Sequence, residues 1–104
     1  MSEKNSKELE KPLRIISPKL YRFIISEFEK YNIHSYDLLI NGIKKDQGME
    51  IILRFGETFS RKKSKLFSDQ VIKGQAKELC KFIENATEAC KKAMIDDYFE
   101  RMAP

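Results

Sequence analysis

The chain has one histidine, two cysteines, four scattered glycines and no long apolar run in its 104 residues. Each shortage removes a class of function. No segment approaches the roughly 20 apolar residues of a membrane span, and the first residues lack the basic-then-apolar pattern of a signal peptide. A cytoplasmic location with no membrane partner is therefore expected. The glycines stand apart at 42, 48, 56 and 74, so no loop is built to cradle phosphate. A histidine general base would have to be His34, in the turn after the first helix, and nothing near it in sequence supplies a nucleophile or an orienting group. Cys80 and Cys90 are ten residues apart on one predicted helix, about 15 Å along its axis. A disulfide needs α-carbons within about 7 Å, so both are expected as thiols in a reducing compartment. No second Cys or His stands at ligand spacing, and no metal is expected. Asp96 and Asp97 are the one adjacent carboxylate pair. Neighbours on a helix point about 100° apart, so the pair is expected on a solvated face rather than in one site. The chain is thus expected to be no enzyme, with no cofactor and no small-molecule substrate.

What is present is a folding sequence of one domain. Apolar residues make up 41% and charged residues 35%, enough of the first for a modest core. Residues 1–11 are almost all polar and aperiodic, and are expected to be a disordered tail. Residues 12–104 are expected to be a single α+β domain.

The most organised stretch is Ser68 to Met102. Apolar or small residues fall at Ile72, Ala76, Leu79, Ile83, Ala86, Cys90 and Ala93, stepping by four and three. That rhythm predicts one long amphipathic helix. Ser68 is a capping residue, Asp69 suits the positive end of the dipole, and Phe67 with Ile72 fits a hydrophobic staple. Gly74 and Asn85–Thr87 are its weak points. Earlier, Leu13–Ile16 reads as an extended lead-in. Ser17-Pro18 opens a helix, with the Ser17 side chain as its cap and proline at the first position; its face is Leu20, Phe23, Ile24, Phe28 and Tyr31, and Asn32 ends it.

The middle alternates. Tyr36 to Ile43 reads as a strand with Tyr36, Leu38 and Ile40 on one face. Met49 to Phe55 is a second, with Met49, Ile51, Leu53 and Phe55 one way and Glu50 and Arg54 the other. Asp46-Gln47-Gly48 joins them, with glycine available for a positive φ. Thr58 to Leu66 is a third strand, at the sheet edge, or a basic loop; lysines are well tolerated on an edge strand. The expected fold is helix, two or three antiparallel strands and a long C-terminal helix, in two layers with both helices on one face.

Charge is concentrated. Lys44 to Lys65 holds seven basic and three acidic residues, and so carries the chain's whole net +4. Lys44, Lys45, Arg61, Lys62, Lys63 and Lys65 are therefore candidate nucleic-acid contacts, with Phe59 and Phe67 flanking. The element order over Pro18 to Ala86 resembles a double-stranded RNA-binding domain, with Lys62, Lys63 and Lys65 before the last helix. Asp46-Gln47-Gly48 is shorter than that family's minor-groove loop and lacks its histidine, so no binding residue is carried over.

The second candidate surface is the distal half of the last helix. Met94, Ile95, Tyr98, Phe99 and Met102 widen its apolar surface beyond a single stripe. The expected function is association with protein, a second copy included, through these residues. Nucleic-acid binding at residues 44–65 is the alternative.

Overall fold

The computed structural model describes residues 9–74 and 77–102, with side chains through Phe99. The order is β1 (Lys11–Pro12), α1 (Leu13–Ile16), α2 (Pro18–Glu29), β2 (Leu38–Lys45), β3 (Gly48–Phe55), β4 (Arg61–Ser68), α3 (Asp69–Gly74) and α4 (Lys77–Met102). Short 3₁₀ turns, Ser35–Asp37 and Glu57–Phe59, precede β2 and β4. The strands form one antiparallel sheet in chain order. The fold is α+β as expected, with four strands rather than two or three. The extra strand is β1, whose two residues pair with Gly42 and Asn41. Two residues leave no periodic signal. Residues 10 and 11, grouped with the tail in the sequence, are tied to the sheet by Glu10 and by this pairing, and residues 1–8 of that tail lie outside the described residues. Leu13–Ile16 is a helical turn, not an extended lead-in.

The first helical hairpin is closed by local chemistry. Ser17 has two jobs, both done by its backbone. Its N–H donates to the Leu13 carbonyl at 2.8 Å and its carbonyl accepts from Tyr21 N–H at 2.9 Å. Its hydroxyl makes no capping bond, so the expected side-chain cap is replaced by a backbone relay between two helices. Leu20, Ile24 and Phe28 are buried, and Phe23 packs on the same core. Asn32 ends the segment in the left-handed region, at φ 66°. Its N–H donates to the Glu29 carbonyl and that of Ile33 to the Phe28 carbonyl, both at 3.1 Å. Those two bonds make a Schellman motif, which drives Ile33 into the core at 1% exposure.

In the sheet, Leu38, Ile40, Met49, Ile51, Leu53, Phe55 and Phe67 face the helices and join Leu13, Leu79, Phe82, Ile83, Ala86, Cys90 and Ala93 in one core cluster. The other face, termed the open one, contributes no residue to that cluster. Tyr36 leaves the expected strand face: it lies in a 3₁₀ turn, is exposed, and stacks on His34 with centroids 5.4 Å apart. Asp37 decides this, since its carboxylate accepts the His34 N–H at 2.8 Å and closes the turn. Gly48 is required for a reason other than positive φ. A Cβ there would stand 2.1 Å from the Phe67 carbonyl oxygen of the neighbouring strand.

The final helical region begins as the sequence predicts. Ser68 Oγ accepts Val71 N–H at 3.3 Å, and Asp69 lies in the first turn of α3. Two helical pieces, α3 and α4, are described. Residues 75 and 76 between them, Ala76 of the predicted stripe included, lie outside the described residues. Helix α4 runs through Asn85–Thr87 unbroken. It carries the predicted stripe into the core at Leu79, Ile83, Ala86, Cys90 and Ala93. Among the described residues no helix is long and apolar enough to cross a membrane.

Candidate interaction surfaces

Helix α4 lies along β4. Phe82 meets Phe67 edge-to-face at 5.3 Å near one end of the strand, and Asp97 meets Arg61 at the other, at 3.5 Å. From Phe82 to Asp97 the helix covers about 22 Å, and from Phe67 back to Arg61 the strand covers about 20 Å. The two lengths match, so the strand gives no support beyond Asp97. Tyr98 and Phe99 come after that point.

The outward face of α4 changes character along its length. At about 100° per residue, Glu84, Glu88, Lys91 and Lys92 point away from the core, and all four are exposed. One turn later the same direction is occupied by Ile95 and Phe99, flanked by Met94 and Tyr98. These four are exposed to 55%, 64%, 38% and 54%. The helix thus has apolar surface on both sides at this end, one side in the core and the other in solvent. Tyr98 and Phe99 contact each other edge-to-face at 5.7 Å. Met102 belongs to the last turn of α4, and its side chain lies outside the described residues.

A cavity of about 250 Å³ opens beside Met94, lined by Tyr36, Asp37, Gly56, Glu57, Phe59 and Asp97. It is walled by the two 3₁₀ turns and the helix. The second turn is strained, with Thr58 at φ 60° and Phe59 at φ 55° in the left-handed region. Asp97 pins it: one carboxylate oxygen accepts Glu57 N–H at 2.8 Å and the other faces Arg61. The solvated position expected for Asp97 is therefore corrected. It is 9% exposed, while Asp96 is half-buried and reaches Lys92 at 4.0 Å. The signal was present in the spacing. Steps of four, three and four from Ala86 through Cys90 and Ala93 land on Asp97. A carboxylate on a core stripe calls for a polar partner.

The basic residues are dispersed by strand alternation. Arg61, Lys63 and Lys65 share the helix side of β4 with Phe67, whereas Lys62 lies on the open side with Ser64 and Leu66. Lys44 is exposed near the hairpin, in register with Met49, and Lys45 is half-buried opposite Gly48. Lys65 Nζ stands 5.7 Å from the Phe67 ring centre. Phe67 itself is core, and Phe59 lines the cavity by Met94. Neither flanking phenylalanine offers an open ring face beside the lysines.

On the open face a cluster forms that the sequence does not announce. The Glu10 carboxylate accepts Arg54 Nη2 at 2.7 Å, Arg54 Nε at 2.8 Å and Asn41 Nδ2 at 2.6 Å. Separations of 31 and 44 residues hide it from any local pattern. The Arg54 hydrogen bond holds the Glu10 carboxyl down at about 2 from 4.5, with Asn41 adding to it and burial opposing. Beneath lies Ile52, 2% exposed although outside the core cluster.

Among the described residues no group of histidine, cysteine, aspartate and glutamate side chains could hold a metal ion. His34 is half-buried in its turn with Tyr36 stacked on it. Both cysteines are free thiols, and burial pushes the Cys90 thiol up to about 11. Comparison of the chain with protein-family models, with curated proteins and with solved structures returns no match.

Proposed function

We propose that this protein is a non-enzymatic, cytoplasmic association module whose partner is a second copy of the chain, joined through the distal half of α4. The carrying observation is the switch on the outward face of that helix, from Glu84, Glu88, Lys91 and Lys92 to Ile95 and Phe99. Exposed apolar side chains on successive turns of one face cost solvation unless another surface covers them. A helix face that pairs with its own two-fold copy needs no second matching surface, and two-fold dimers are the commonest closed assembly. The cavity beside Met94 adds a concave acceptor next to the convex Phe99 and Tyr98.

The test is the solution mass of the full chain by light scattering at low and high salt, for the wild type and for Ile95→Glu/Phe99→Glu. The expected result is a dimer at both salts, because the contact is apolar, and a monomer with unchanged circular dichroism for the variant. A wild-type monomer at all concentrations, or a variant that remains dimeric, overturns the reading.

A further inference from the structure

Strand β4 is the edge of the sheet and pairs only with β3 among the described strands. It is eight residues long, about 27 Å, and six of its residues are exposed. Edge strands are normally kept from pairing by being short, bulged, covered or charged. This one is long, and among the described residues charge is its protection. Lys62, Lys63 and Lys65 lie on both sides of the strand. Neither α3 nor α4 forms a further ladder on its outer edge.

The same charge decides what can pair there. A second β4 would bring lysine against lysine across the ladder, and like charges directly opposite are destabilising. An acidic strand would instead set carboxylates opposite Lys62, Lys63 and Lys65 while its backbone met the open N–H and C=O groups of β4. At the Ser68 end the chemistry changes. A cavity of about 360 Å³ lies there, lined by Lys45, Gln47, Gly48, Leu66, Phe67 and Ser68, and Leu66 is 60% exposed. A side chain entering beside Leu66 would be apolar.

We infer that β4 is a strand-addition site for an acidic, extended peptide segment of another protein, with glutamate or aspartate opposite Lys62–Lys65 and an apolar residue seated beside Leu66. Backbone bonds to the edge supply affinity, and the alternate side chains supply selectivity. The site is separate from the α4 surface, so the two stand or fall independently.

The experiment uses the full chain and a fluorescein-labelled peptide matching β4 in length, with consecutive glutamates to face Lys62 to Lys65 on both sides of the strand and a terminal leucine to sit beside Leu66. Anisotropy is expected to show salt-sensitive binding. Affinity should fall about tenfold or more in Lys62→Glu/Lys65→Glu, by reversal of two facing charges. A similar loss is expected when alternate peptide nitrogens are methylated in either register, because that ligand keeps its charge and cannot complete a ladder. Hydrogen exchange should slow at β4 amides when the unmethylated peptide is added. The proposal is overturned by an absence of binding, or by the methylated peptide binding as tightly as its parent. Preference for a single-stranded oligonucleotide of equal charge over the peptide also overturns it, and would make the edge a nucleic-acid surface.

Discussion

Glu10 links the start of the described chain to the middle of the sheet through three charge-assisted hydrogen bonds. Its carboxyl titrates near 2 when folded, against an ordinary 4.5. A depressed carboxyl contributes stability that is complete above the ordinary value and is lost as pH falls through the folded one. Glu10→Gln should therefore lower stability by about 1 kcal/mol at pH 7, a modest figure because solvent reaches both partners. In urea titrations the gap between wild type and variant should close between pH 4.5 and pH 2. Asp97 is the second polar anchor. Asp97→Ala leaves the Glu57 N–H without its acceptor beside a strained turn, and a loss of about 2 kcal/mol is expected in the same assay. Cys90 offers a chemical check on burial. With its thiol at about 11 and 1% exposed, it should resist alkylation at pH 8 in the native state. The half-buried Cys80 should be modified first, as mass spectrometry of timed samples would show.

At the scale of the element, the sheet depends on one close approach. Gly48 closes the β2–β3 turn and lies against the β4 backbone, with the site of a Cβ 2.1 Å from the Phe67 carbonyl oxygen. Gly48→Ala must push the two strands apart. A loss of about 3 kcal/mol is expected from thermal unfolding, at the upper end for overpacking because a backbone atom cannot rotate aside. The elements themselves were largely readable beforehand. The face of α2, the alternation of β3 and the stripe from Leu79 to Ala93 follow from periods of 3.6 and two residues, which are properties of the local chain. The Ser68 cap was readable for the same reason. At Tyr36 and Ser17 a local hydrogen bond outcompeted composition. Asp37 folded Tyr36 into a turn, and the Ser17 backbone replaced its side chain.

At the scale of the molecule, assembly should be visible as mass action. If α4 pairs with its copy, Tm rises with chain concentration, and calorimetry across a wide concentration range should show that rise for the wild type. Ile95→Glu/Phe99→Glu should melt at one temperature throughout. The exposure of Ile95 and Phe99 was foreseeable in outline, since α4 carries more apolar surface than one stripe. That it lies opposite the core rather than beside it follows from helix periodicity once the burial of Leu79, Ile83, Ala86, Cys90 and Ala93 fixes which side of α4 faces the core.

Sequence alone determined the α+β class, the helical stripe, the strand faces and the location of the net charge. All of these depend on neighbours a few residues apart. Tertiary structure decided what those elements meet. It brought Glu10 across 44 residues to Arg54 and Asp97 across 40 to Glu57. It also divided one basic run between two faces of a sheet and made residues 61–68 a strand rather than a loop. The physical reason is that periodicity fixes the direction of a side chain relative to its own element, whereas the partner in that direction is set by the packing of distant elements around a shared core.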